Sequence, residues 1–374
     1  MVDKKVRVLV GTRKGGYVLE SDRSRRKWKV ASRVQMGTDV FHVVADPRSP
    51  GDLYAAVNTW FWGPLVYRSG NYGKKWEEIG TPMLANTKSR QPRFDEKAGE
   101  LRKQPIVNLW HIEPGHADEP DTMFLGVDPH MLYRSDNRGD SWDPVDGLND
   151  HPSKPKWAPG AGGPCIHTIF TDPTRPKRIY AGISAAGLFR SDDGGKSWNL
   201  KNKGVETPFL PDKFSEVGQC VHKVAMDPKN PDLLYRQDHA GIYVSHDAGD
   251  SWKHVGKALK HDFGFVVATA PAMPGKAFFV PLHSERRITT NGGFQVVQWA
   301  ESSDKFSNLM TPQRFPGEFG NHREALACDG LDPAGIYAGT STGDLFFSRS
   351  AGKSWERVPF TFPGIHSVSI ANPA

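Results

Sequence analysis

The chain has 374 residues, with 48 basic and 42 acidic side chains and a net charge of +6. These charges are interleaved, which argues against the clustered basic stripe of a nucleic-acid binder. No run approaches the ~20 apolar residues of a membrane helix. Three cysteines do not make a disulfide scaffold, and buried, inert thiols are expected. Thirty-eight glycines, 29 prolines and 11 tryptophans, with no long amphipathic pattern, predict an all-β, turn-rich fold. The N-terminus enters a strand directly, without a hydrophobic signal segment, so a cytoplasmic location is expected.

The first predicted strand is Val6–Gly11. Next comes a Ser21/Trp28 pair at a spacing of seven. The same spacing recurs at Ser69/Trp76, Ser135/Trp142, Ser191/Trp198, Ser245/Trp252 and Ser348/Trp355. A degenerate copy starts at Thr289, with Val296 in the Trp place, and fills the long interval after Ser245. Such a period names a repeat architecture. Around the fullest copy, Ser191–Trp198, the order is Ile166–Thr171, an Asp172-Pro173 turn, Arg178–Gly182, Gly187–Arg190, the box, then a short strand. Four antiparallel strands per repeat make a propeller blade. The expectation is a seven-bladed β-propeller, one domain over 1–374. The C-terminal stretch 365–373 resembles 166–173, so it should supply the inner strand that blade one lacks. Closing the ring in this way removes open sheet edges.

Within each box the third residue (Asp193, Asp247, Asn71, Asn137 or Ser350) can bond backbone N–H groups with its side-chain oxygen. The fifth residue is glycine, which tolerates positive φ. The Trp then buries its ring. The boxes resemble bacterial neuraminidase repeats, or Asp-boxes, and cover nearly the whole chain. The sequence is therefore similar to the BNR/Asp-box propellers: sialidases, other glycoside hydrolases, sortilin-type receptors and photosystem assembly factors. That resemblance implies the fold, whereas the repeat leaves the reaction open. The Arg-Ile-Pro motif of sialidases has no counterpart here. Arg13 is the nearest early arginine, so no sialidase catalytic set carries over.

Strand direction assigns the boxes to the bottom face. Inner-strand starts, second-to-third-strand turns and the long connections 81–105, 150–164, 202–218 and 302–321 fall on the top, where binding loops are expected. Aligning inner strands on their closing Asp brings His167, His222 and Glu324 to one level, with Asn108 and Phe41 as counterparts and His366 close by. Three readings follow. In the first, His167, His222 and Glu324, completed by His366 or His239, hold Zn, Fe, Cu, Ni or Mn. In the second, Glu324 or Glu285 does acid–base work while Arg236, Arg286 or Arg323 holds an anionic group. In the third, the polar residues only line a channel. His239, Arg286, Asn108, Trp60 and Trp62 are candidate substrate contacts. The expected ligand is a small polar or glycan-like molecule, with no organic cofactor, nucleic acid or membrane partner. The competing readings are a non-catalytic scaffold and a glycosidase with a carboxylate pair, which Glu285, Glu324, Asp128 and Asp238 could supply. The cluster Lys88, Arg90, Arg93, Arg102 and Lys103 is a solvated loop or an anion-binding lid.

Overall fold

The computed structural model describes residues 5–49, 51–59, 61–82, 106–158 and 163–371. Its strands form seven four-stranded antiparallel sheets, each running outward from an inner strand in chain order. The inner strands of blades two to seven are Asp39–Ala45, Asn108–Pro114, Ile166–Asp172, Val221–Met226, Val267–Thr269 and Leu326–Cys328. Blade one is completed by Ile365–Ala371, which pairs with Lys5–Thr12 from Arg7/Ala371 to Thr12/Ile365. The ring thus closes as the repeat predicts.

Among the described residues the core consists of seven apolar clusters, each between two adjacent blades. Period-two alternation explains this. In Arg175–Ile183, Ile179, Ala181 and Ile183 pack towards blade three, while Tyr180 packs towards blade five. Both sheet faces are buried, so these strands read as nearly continuous apolar runs. Close blade approach also requires glycine. A Cβ on Gly126 would lie 2.3 Å from the carbonyl oxygen of Ile166 in the next blade.

The box geometry is local and repeated. In blade four the N–H groups of Asp193 and Gly195 donate to Ser191 Oγ at 3.3 and 2.8 Å. Ser191 Oγ donates to Asp193 Oδ1, which also accepts from Ser197 N at 2.9 Å. Blade five repeats the pattern at Ser245 and Asp247. Two successive residues are left-handed, not the glycine alone: Ala248 has φ +57° before Gly249 at +91°. The Trp indoles stitch blades together, as when Trp252 Nε1 donates to Lys201 O and Trp142 Nε1 to Gly80 O.

Blade six departs from the sequence expectation. Its strands are Val267–Thr269, Lys276–Phe279, Val296–Ala300 and Lys305–Met310. Thr289–Gly293 therefore lies in the second-to-third-strand connection, and Val296 opens the third strand instead of replacing a box Trp. The actual third-to-fourth turn is 301–304, where Asp304 accepts from the Trp299 indole at 3.3 Å. Spacing misled because Val297 pairs with the second strand and Val296 with the fourth, and both fill the core. The presumed connection 302–321 likewise contains strand Lys305–Met310.

Candidate functional site

The channel wall is set by a recurring irregularity. In five inner strands the pairing with the second strand skips one residue near the top: His366, Phe41, Trp110, His167 and His222. A skipped residue bends the strand and re-aims its side chains. Counting back five from Asp46, Asp172 and Asp227 finds the position in blades two, four and five. In blade three Gly115 stands where the others have Asp, donating its N–H to Thr122 O just as Asp46 N–H donates to Asp52 O. The counterpart there is Trp110 and not Asn108, whose side chain instead approaches Asp128 at 3.5 Å.

The residues just past the skip form a plug that sequence alignment missed. His42 and His111 stack with centroids 4.4 Å apart. Glu324 receives His111 Nδ1 at 3.2 Å and is paired with Lys223 Nζ. His111 Nε2 lies 3.3 Å from Glu113. Blades two, three, five and seven thus meet across the channel. Burial would raise the Glu324 pKa, but Lys223 and His111 overcome it and hold the carboxylate well below its usual range. Burial opposes charge on His111 too, yet Glu324 raises its pKa. His42 is pushed down to about 3 by burial and by His111. The Ile112 N–H donates to His42 Nδ1 at 3.3 Å, so a neutral His42 carries its proton on Nε2. This tautomer and the Lys223 ion pair do not suit a metal ligand set at His42, His111 and Glu324. Lys223→Ala should destabilise the fold by about 1.5–3 kcal/mol, because Glu324 loses a charge-assisted hydrogen bond in a part-buried site and keeps only His111. A fall in the urea midpoint at pH 7 checks this; an unchanged midpoint would show that solvent already satisfies Glu324.

Above the plug lies a cavity of about 670 Å³. Arg13, Lys156, Arg287 and Arg323 line it together with His222, His239 and His322; among the described residues no carboxylate does. Phe209, Leu210, Val217 and Phe265 supply apolar wall. Arg323 lies over the Trp110 and Phe265 rings at 5.7 and 5.5 Å. Asn321 is buried, yet among the described residues neither its Nδ2 nor its Oδ1 has a partner, and His322 Nε2 and Arg323 Nε are likewise unpaired. Burial, then His366, Arg13 and Arg323, pushes His322 down to about 3. Burial and the neighbouring Arg323 also lower the Arg287 pKa. The cavity therefore combines accumulated positive charge with unsatisfied polar groups.

Other predicted residues lie elsewhere. The set His167, His222, Glu324 and His366 is not gathered into one ligand group. His167 is buried beside Thr168 Oγ1 at 3.1 Å, and His366 stacks on Phe41 with Nε2 3.3 Å from Asp39. Arg236 is fully buried between sheets, bonded to Asp238 and Asn202, so it and Asp238 serve packing. Glu285 is exposed, and exposed Arg286 pairs with Glu318 at 2.8 Å; their neighbour Arg287 reaches the cavity instead. Trp62 borders a separate cavity with Phe61, Asp39 and Glu78. Trp60 and the Lys88–Lys103 cluster lie outside the described residues. Sequence reasoning missed His42, His111, Lys223, Cys220 and Asn321. The one-residue skip was the missing signal for the first three.

The BNR-Asp box repeat family pattern matches residues 66–79, the box of blade two. With seven blades and the repeated Ser–Asp hydrogen bonding, this decides the class. The chain is an Asp-box repeat propeller. The propeller is 23% identical over 226 residues to a probable oligoxyloglucan-reducing end-specific xyloglucanase of Neosartorya fischeri, covering 51% of this chain and 26% of that protein. It spans about a quarter of the length of the curated relatives it matches. Among solved structures, the GH74 xyloglucanase from Xanthomonas campestris aligns with a TM-score of 0.57 and 18% identity, over 85% of this chain and 45% of that one. YCF48 from Cyanidioschyzon merolae aligns with a TM-score of 0.53 and 12% identity, over 88% and 94%. At these identities the structural likenesses concern the propeller fold.

Proposed function

We propose that this propeller is a glycan-acting hydrolase whose ligand carries an anionic group, held in the top cavity. The observation that carries this reading is a cavity lined by Arg13, Lys156 and Arg287 together with Asn321, His322 and Arg323, whose buried polar atoms lack partners among the described residues. Buried polar groups without partners are uncommon and call for a ligand or water. Guanidinium groups bind carboxylates by charge-assisted, often bidentate hydrogen bonds. The glycan part rests on the likeness to xyloglucanases. In this reading Arg323 and Arg287 hold the anionic group, Asn321 and His322 bond hydroxyls, and Phe265 and Phe209 pack against the ring. Glu324 beneath the floor, kept ionised by Lys223 and His111, is suited to electrostatic stabilisation or proton acceptance, not to a general-acid role.

Calorimetry with an oligosaccharide ending in glucuronate, against its glucose-ended counterpart, tests the reading. The acidic ligand should bind at least about tenfold tighter, a difference of ~1.4 kcal/mol. Arg323→Gln should remove that preference and flatten its salt dependence. Equal binding of both sugars, or an Arg323→Gln protein that still discriminates, defeats the proposal. A second reading, a binding propeller without hydrolysis, is favoured by a lining with no carboxylate among the described residues, since glycosidases use a carboxylate pair. Release of reducing ends from the bound acidic oligosaccharide distinguishes the two.

A further inference from the structure

Blade five carries a second chemistry on the wall of the same cavity. Val221 pairs with Asp238, so Cys220 and His239 sit opposite each other one step beyond, and the His239 N–H donates to Cys220 O at 3.0 Å. His222 lies two residues after Cys220, at the skipped position that turns it inward. Its Nδ1 lies 2.6 Å from Gly264 O, so that nitrogen carries the proton, and Nε2 is left facing Cys220 Sγ at 3.6 Å. A ring N–H fixed on a backbone carbonyl, with the other nitrogen aimed at a ligand position, is how metal-binding histidines are oriented. Among the described residues the His239 ring has no hydrogen-bond partner. Ligand atoms of Cys220, His222 and His239 all lie within 4.8 Å of one another, and all three residues line the cavity.

We propose that Cys220 Sγ, His222 Nε2 and one ring nitrogen of His239 hold a divalent transition metal of the zinc class, with its fourth position open to the cavity. One thiolate and two imidazoles suit such an ion, and three protein ligands with one open position is the arrangement of a site that binds an exogenous group. The Cys220 thiol gives its proton to solvent on binding. Burial raises the Cys220 pKa and Arg323 and Arg287 offset it only in part, so the thiol keeps its proton until the metal binds. The site stands on this geometry and does not need the glycan reading. Blade four supplies an internal control. Cys165 and His167 repeat the Cys-x-His spacing, and the Ser184 N–H donates to Cys165 O at 2.9 Å, so serine occupies the place of His239.

Cobalt(II) titration of the untagged protein tests the site. The expected result is one cobalt per chain, with a thiolate-to-cobalt charge-transfer band, tetrahedral d–d bands and release of about one proton. Cys220→Ser should abolish the charge-transfer band, and His239→Ala should weaken binding at least about 100-fold, or ~2.7 kcal/mol. Cys165→Ser should change neither. If Cys220→Ser does not fold by circular dichroism, His239→Ala at the hairpin end decides. No thiolate band in the unmodified protein, a band that survives in Cys220→Ser, or unchanged affinity in His239→Ala overturns the site. Because the readout is the metal spectrum, the site and the anionic-glycan reading can fail independently.

Discussion

A chain ending at Gly364 should fail to form a stable, soluble ring. Strand Ile365–Ala371 is the inner strand of blade one, and its loss leaves Lys5–Thr12 as an unpaired edge. Ile365 and Val368 are buried in the blade-one/blade-seven cluster, and Ala371 packs at the blade-one/blade-two boundary. Two buried aliphatic side chains contribute ~3–6 kcal/mol, close to the 5–15 kcal/mol that typically separates folded from unfolded. The cut also uncovers Val8, Leu9 and Val10, which are fully buried in the closed ring. An exposed apolar edge of that kind recruits other chains. Size-exclusion chromatography should therefore show aggregates, and a peptide spanning residues 364–371 added during refolding should restore monomer. A soluble truncated monomer with an unchanged thermal transition would show that the velcro strand is dispensable.

Acidification from pH 7 to pH 5 is expected to destabilise the protein steeply. Burial pushes His42 down to about 3 and His130 to about 4, and holds His167 and His222 well below their ordinary value; His322 falls to about 3. These imidazoles stay neutral when folded but protonate at about 6.5 when unfolded. The unfolded chain therefore binds more protons, and stability is fully present above about 6.5. It is lost as pH falls towards the folded values, by up to ~1.4 kcal/mol per pH unit for each histidine. His111 has the opposite sign: its raised folded pKa gives a contribution that is complete below about 6.5 and is lost at higher pH. Glu324, with its pKa lowered, holds its contribution until the pH drops below the ordinary carboxylate range. Neutral buried histidines therefore govern the window between pH 6.5 and 5. Urea midpoints across that window should fall, and His42→Gln should make the fall shallower by about 1.4 kcal/mol per unit. A flat profile would mean that these rings accept protons inside the folded protein.

Much of the ring was legible because its determinants are local. The Ser–Asp–Gly–Trp box encodes its own hydrogen bonds over eight residues, and Ile365–Ala371 carries the pattern of an inner strand. The order of strands, the closure and the face opposite the boxes all follow from those short-range signals. Where the box degenerates, in blade six, spacing chose Thr289 and pairing chose 301–304, because burial of Val296, Val297 and Trp299 outweighs a weak turn signal.

The site was legible only in part. Arg323, His222 and His239 line the cavity on the face that strand direction gives, whereas Glu324, aligned with His222 by its closing Asp, lies in the plug beneath. Their grouping is not written in the spacing. One skipped residue per inner strand decides whether His42, Phe41, Trp110 or His111 reaches the channel, and Gly115 removes the Asp marker in blade three. Arg236 lies within the second strand of blade five and Arg287 in the second-to-third-strand connection of blade six. Only the packing of adjacent blades makes the first a buried partner of Asp238 and the second a cation in the cavity. Local signals along the chain set the number of blades, how they close and which face carries the inner-strand starts. The tertiary structure decided which charges meet across the channel, because residues from blades two, three, five and seven come together only after the ring has closed.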